Sequence, residues 1–219
     1  MRILHIMAGR GNGGAETYAA DVILALHEAG IEQTAVWHPA QARFAELQQA
    51  GVRTAPELLR KPLRFLQRRA LAGLIRETRP DVIHCWMRRA ASLAPAAMIP
   101  TIGWFGGYYD VRHFKSCSHF IGVTPDIVRH QRAHGVSEAC SFFVPTFPSL
   151  DPSPAIDRAA LDTPEDVKIL LALSRLHPKK GLDILLQALA ELPDCYAWLA
   201  GDGPLLRELQ QQAAALGVD

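Results

Sequence analysis

Short apolar runs rich in β-branched residues alternate along the chain with stretches of helical periodicity, and few folds accommodate that rhythm. The runs fall at 3–7, 33–37, 81–85, 100–104, 119–123 and 141–144, with a shorter one at 52–54. Between them lie helical patterns such as 15–29, where Tyr18, Val22 and Leu26 recur every four residues. Strand and helix in alternation predict right-handed crossovers and a parallel sheet covered on both faces. The runs are mostly continuous rather than alternating in polarity, as strands buried on both faces require.

At Pro145 the rhythm stops. Residues 145–166 hold five prolines and no apolar pattern of helix length, which predicts an inter-domain linker with one short helical turn near 156–161. The rhythm then resumes with a strand at 167–173 and a helix on which Leu182, Leu185, Leu186 and Leu189 share a face. A strand at 196–200 and a helix marked by Leu205, Leu206, Leu209, Ala213 and Leu216 follow, with Gly217 placed as a C-cap. The expected division is therefore a Rossmann-like domain at 1–145, a linker at 146–166 and part of a second such domain at 167–219. Two βα units fall short of a full doubly wound domain. The expectation is a chain that stops before a third strand, leaving a sheet edge open to self-association.

Composition narrows the class. Nearly half of the 219 residues are apolar and the net charge is +1, which describes a globular chain. No run approaches the roughly eighteen apolar residues of a spanning helix. The short apolar run at the N-terminus gives way to glycines, like a first strand rather than a signal peptide. Cys85, Cys117, Cys140 and Cys195 form no Cys-x-x-Cys pair, so neither zinc nor a disulfide framework is indicated; buried thiols in a reducing cytoplasm are expected. Basic residues are not interleaved with aromatics, which argues against nucleic acid.

Two loops carry chemistry. Gly9-Arg10-Gly11-Asn12-Gly13-Gly14 lies between the first strand and the first helix and satisfies G-x-G-x-x-G. Such glycines let backbone N–H groups approach a diphosphate at a helix N-terminus. A dinucleotide site also needs an acid at the end of the second strand, and that strand ends Val36-Trp37-His38-Pro39. A plain tight turn remains the alternative. The second loop is Ser174-Arg175-Leu176-His177-Pro178-Lys179-Lys180-Gly181, directly after the strand that opens the second domain. Arg175 offers a planar fork to phosphate oxygens, Lys180 a compact charge, and Gly181 lets the chain enter the next helix close to a ligand.

This second loop resembles the phosphate-binding signature that opens the C-terminal domain of glycosyltransferase family 4, a large group of retaining enzymes with the GT-B fold. Other phrases agree in order: Gly13-Gly14-Ala15-Glu16, Asp81-Val82-Ile83-His84, the stretch from Phe120 to Ile127, Val144-Pro145-Thr146-Phe147-Pro148, and Ala200-Gly201-Asp202-Gly203-Pro204. The resemblance covers nearly the whole chain and is most specific at 174–181 and 201–204. It implies two Rossmann-like domains facing across a cleft, the second incomplete, and transfer of a hexose-type sugar with retention and without a metal or other cofactor. The donor is a nucleotide sugar and the acceptor a cell-envelope glycan or lipid-linked glycan. It implies that Arg175 and Lys180 act on the leaving diphosphate, with Gly13, Gly14, Gly181, Gly201 and Gly203 beside the donor. Two departures stand out. Many members carry a histidine in a loop matching 103–110, and none occurs there. The family's paired glutamates belong to sequence past residue 219, so a chain of this extent is expected to be inactive alone.

Residues 57–79 carry seven basic and two acidic side chains, net +5 in a chain of net +1. A helix opened by Pro62 would put Arg64 and Arg68 on one face with Arg60 flanking, and Leu59, Leu63, Phe65 and Leu66 as apolar neighbours. That pattern suits peripheral contact with an anionic membrane from the cytoplasmic side, or an ordinary solvated face. Arg88 and Arg89 follow the strand at 81–85, where a parallel sheet presents ligands; an anionic acceptor and a plain surface pair are both open. The competing readings of the whole chain are an NAD-type or other nucleotide-binding Rossmann protein using Gly9–Gly14, and a non-catalytic interaction fragment.

Overall fold

The structure, a computed structural model, describes all residues except 10, 12, 42, 96, 97, 148–152 and 219. The chain divides into two compact units, Met1–Leu150 and Asp151–Asp219.

In the first unit the apolar runs become seven strands: β1 (Arg2–Met7), β2 (Glu32–Trp37), β3 (Arg53–Thr54), β4 (Val82–Trp86), β5 (Thr101–Phe105), β6 (His119–Gly122) and β7 (Ser141–Phe143). They form one sheet of order β3-β2-β1-β4-β5-β6-β7, and every neighbouring pair is parallel. The helices between them are α1 (Gly14–Glu28), α2 (Phe44–Gln49), α3 (Glu57–Arg60), α4 (Arg64–Thr78), α5 (Met87–Ala91) and α6 (Pro125–Ala133). Side chains alternate along β1, so Leu4 and Ile6 enter the core layer that holds Leu58, Leu59 and Leu71. Met7 enters the opposite layer, which packs against Tyr18, Ala19 and Ile23 of α1. Each fully buried aliphatic side chain contributes about 1.5–3 kcal/mol. Strand order reverses between β1 and β4, the place where open α/β sheets present ligands beyond the strands' carboxyl ends.

The basic stretch at 57–79 departs from the single helix predicted for it. It folds as α3 and α4, because Pro62 holds Lys61 extended at ψ 133° and Leu63 follows extended at ψ 133° as the N-cap of α4. Pro62 thus stands outside the helix it was expected to open. Leu58 and Leu59 are buried, whereas Leu63 and Phe65 are 52% and 63% exposed. Among the described residues, no helix is long and apolar enough to cross a membrane. Of the four free cysteines only Cys85 is buried; Cys117, Cys140 and Cys195 are half-buried, more open than their expected burial.

The second unit holds β8 (Lys168–Leu173), α7 (Leu182–Leu189), β9 (Cys195–Ala200) and α8 (Leu206–Leu216), with short 3-10 turns at Arg158–Leu161 and Pro178–Lys180. β8 and β9 pair in parallel. Leu176, Leu182, Leu186 and Leu209 form its small buried core, and Leu170, Leu171 and Leu173 of β8 remain exposed.

The centre of the first sheet contains a polar chain. Trp86 Nε1 donates to His5 Nδ1 at 3.3 Å, so His5 carries its proton on Nε2 and donates to Gln33 Oε1 at 2.9 Å. The Gln33 amide in turn donates to the Ile23 carbonyl at 2.9 Å. Burial, partly offset by the Gln33 hydrogen bond, brings the His5 pKa down to about 4. Burial first, and then the charge of His5, holds His84 well below the ordinary histidine range. Both imidazoles are therefore neutral when folded. An unfolded histidine titrates near 6.5, so below that pH the unfolded chain takes up protons that the folded chain refuses. Their stability contribution is full above about pH 6.5 and falls as pH drops toward 4, by about 1.4 kcal/mol per pH unit for each group. The urea midpoint is expected to fall between pH 7 and 5, and to fall less in His5→Gln. A midpoint constant over that range would show that these rings are not held neutral.

Candidate functional site

The glycine loop after β1 holds an anion of its own. Gly13 is the N-cap of α1, its carbonyl accepting from the N–H groups of Glu16 and Thr17 at 3.1 Å each. The Gly13 N–H donates to Glu16 Oε2 at 3.1 Å. A Cβ on Gly9 would lie 2.8 Å from Glu16 Oε1, and one on Gly13 would lie 3.2 Å from Oε2. The glycines make room for this buried carboxylate, and a carboxylate there repels a diphosphate rather than cradling one. Gly14 has no atom within 4 Å of where its Cβ would stand. Arg10 and Asn12, the other members of the expected motif, lie outside the described residues. β2 ends at the buried Trp37, without the acid a dinucleotide site needs there.

Two clefts open beside it. One, of about 700 Å³, is lined by Tyr18, Trp104, Gly106, Tyr109 and Phe147 among others. A Cβ on Gly106 would lie 2.3 Å from the Trp104 ring. Glycine is therefore what lets the chain fold over that indole. Tyr18 Oη donates to the Pro145 carbonyl at 3.3 Å. Sequence reasoning missed this aromatic lining, whose signal is the Trp-Phe-Gly-Gly-Tyr-Tyr phrase at 104–109. The second cleft, of about 470 Å³, is lined by Gly9, Trp86, Met87, Arg88, Arg89 and the segment 108–110 with His113. Met87, at the turn out of β4, has φ +62°, a left-handed conformation that costs a side-chain-bearing residue about 1–3 kcal/mol.

In the second unit, loop 174–181 leaves β8, forms the Pro178–Lys180 turn and enters α7. His177 Nδ1 accepts from the Lys179 N–H at 3.3 Å and its carbonyl from the Lys180 N–H at 2.9 Å. Gly181 has φ +63°, and a Cβ there would meet only Ile184 at 3.9 Å. Its positive φ favours glycine whatever the space around it. Arg175 and Lys180 are exposed on this loop, and neither side chain has a hydrogen bond or ion pair among the described residues. Asp183, in the first turn of α7, is the nearby acid in sequence.

Gly201 and Gly203, expected beside the donor, pack directly against this loop. A Cβ on Gly201 would stand 1.9 Å from the Ser174 carbonyl oxygen, and one on Gly203 2.3 Å from that of Leu176. The two loops are tied by Ser174 N–H to Ala200 O at 3.1 Å, Leu176 N–H to Asp202 O at 2.9 Å and Leu205 N–H to Leu176 O at 3.2 Å. These glycines hold the basic loop in shape.

The parallel sheet of the first unit, and the two βα units of the second with a cationic loop after β8, fit the GT-B class of glycosyltransferase fold. The chain belongs to glycosyltransferase family 4: the model described as "Glycosyltransferase Family 4" matches residues 12–147, and that of "Glycosyl transferases group 1" matches 155–219. It is 31% identical over its whole length to the lipopolysaccharide core biosynthesis glycosyltransferase LpsD of Rhizobium meliloti, and 30% identical to LpsE of the same organism. The chain spans 64% of the length of each. Among solved structures, HepE of Anabaena, crystallised with UDP and glucose, shares the fold with a TM-score of 0.77 at 19% identity. That likeness covers all of this chain and 67% of HepE.

Alanine at Gly201 is expected to cost the second unit roughly 3 kcal/mol, because backbone atoms must move to admit the methyl group. Alanine at Gly14, in the first turn of α1, is expected to stay within about 1 kcal/mol of wild type. Hydrogen exchange of β8 and β9 amides in Gly201→Ala, and of β1 amides in Gly14→Ala, checks both. Equal protection in Gly201→Ala and wild type would contradict the packing role.

Proposed function

We propose that this chain carries the donor-phosphate and acceptor-binding parts of a nucleotide-sugar-dependent glycosyltransferase that builds a cell-envelope glycan or glycolipid. The observation that carries the reading is the braced loop 174–181, which displays Arg175 and Lys180 unpaired at the carboxyl end of a parallel strand in a chain of this family. As the anomeric C–O bond of a hexose donor breaks, negative charge grows on the departing diphosphate. Arg175 and Lys180 offer cations to that charge, and the first-turn N–H groups of α7 after Gly181 add donors without intrahelical partners. On this reading no metal is needed to stabilise the leaving group, and the transferred sugar keeps its anomeric configuration. The first unit supplies the acceptor side. The names of LpsD and LpsE support an envelope glycan as acceptor, and the UDP and glucose held by HepE support a nucleotide-sugar donor.

In the full-length protein, Arg175→Ala and Lys180→Ala are each expected to lower kcat about a hundredfold or more, with an unchanged melting temperature. Transfer measured with a panel of UDP-, GDP- and ADP-sugars decides it; wild-type rates in both variants would place the phosphate site elsewhere.

The proposal includes peripheral attachment to the cytoplasmic face of an anionic membrane through α3 and α4. Exposed Leu63 and Phe65 stand beside exposed Arg60, Lys61, Arg64 and Arg68, and each basic group near an anionic surface is worth about 1 kcal/mol. Co-sedimentation with phosphatidylglycerol vesicles should fall steeply with salt and weaken in Arg60→Gln/Arg64→Gln/Arg68→Gln, with no binding to phosphatidylcholine. Equal sedimentation of wild type and triple variant would leave the stretch an ordinary solvated face.

A further inference from the structure

The 470 Å³ cleft at the switch point holds two arginines that the donor chemistry does not use. Six arginines of the first unit, Arg2, Arg43, Arg53, Arg112, Arg129 and Arg132, form ion pairs with carboxylates, whereas those of α3 and α4 face solvent outside the cleft. Arg88 and Arg89 are exposed in the cleft and have no hydrogen bond or ion pair from their side chains among the described residues. The acids that approach the cleft are committed. Asp110 lines it but is gripped by Arg112, Oδ2 accepting from Nη2 at 2.7 Å and from Nε at 3.0 Å. Glu16 accepts from the Gly13 N–H and brings one negative charge to the Gly9 side of the cleft. Against it stand the two positive charges of Arg88 and Arg89, so the cleft keeps a net positive charge.

Its walls suit a sugar. The Tyr108 side chain is anchored by a hydrogen bond to Asp126 and its ring packs edge-on to His130, with centroids 5.4 Å apart. Tyr109 and Trp86 line the same space. Arg89 also borders a smaller hollow of about 240 Å³ with Arg64, whose Nη2 donates to the Ser92 carbonyl at 2.9 Å. The positive surface thus runs from the cleft to α4. A guanidinium fork matches the two oxygens of a carboxylate or phosphate, whereas neutral sugar hydroxyls need no such charge.

We infer that the acceptor bears an acidic group, carboxylate or phosphate, and that Arg88 and Arg89 hold that group in this cleft while the sugar lies against Tyr108 and Tyr109. This rests on the reading of the first unit as the acceptor side, and it adds the substrate's chemical class.

The test compares matched probes on the full chain by tryptophan fluorescence and NMR titration at low salt. Trigalacturonate is set against its methyl ester, mannose 6-phosphate against mannose, and inorganic phosphate stands as the free anion. The acidic member of at least one pair should bind about tenfold tighter than its neutral partner. The pair that shows the preference identifies the group as uronate or sugar phosphate. Arg88→Gln/Arg89→Gln should abolish the preference with an unchanged melting temperature, and Arg88→Lys/Arg89→Lys should keep part of it. Equal binding of acidic and neutral probes, no sugar binding at all, a preference surviving in the double glutamine variant, or inorganic phosphate binding as tightly as the acidic sugars would each overturn the inference. UDP-induced stabilisation, measured separately, reads the donor side. Its loss with the acid preference intact would remove the transferase reading and leave the cleft's selectivity standing.

Discussion

Parallel pairing of β1 on both of its edges, to β2 and to β4, is the constraint on which the first unit rests. A strand in that position is buried on both faces and must satisfy every polar group internally. The chain His5–Gln33–Ile23 carbonyl, with Trp86 donating into it, meets that demand at the middle of the sheet. The same pairing reverses the strand order, and the reversal opens the space beyond Gly9 and Trp86 where the cleft forms. Core and ligand geometry are consequences of one topological choice.

The second unit solves a different problem with backbone alone. A six-residue pair of strands and two helices bury only a small leucine core. The basic loop after β8 keeps its form because the loop after β9 is pressed against it, carbonyl to glycine. The backbone from which Arg175 and Lys180 project thus depends on Gly201 and Gly203.

Much of this was legible in the sequence. Among the described residues, the strands other than the short polar β3 lie at the apolar runs, since a strand buried on two faces leaves an uninterrupted signal. The family was legible from the order of short phrases ending in Arg175 to Gly181. Features set by local geometry were not legible. Pro62 divides 57–79 into two helices, which a count of charges cannot reveal. Gly181 answers to a positive φ, and Gly201 and Gly203 to a carbonyl less than 2.5 Å from a would-be methyl group. Glu16, quoted only as part of a family phrase, fills the glycine loop that the fingerprint assigned to phosphate. Arg88 and Arg89 were visible as a pair, but their lack of carboxylate partners is a property of space.

The most direct measurement of the central claim is hydrogen exchange of the chain with and without UDP, GDP and ADP. A donor site on the second unit predicts slowed exchange concentrated in amides 174–183, with Gly13 and Gly14 unchanged. Protection confined to the Gly9–Gly14 loop, or absent from 174–183 with every nucleotide, would contradict it.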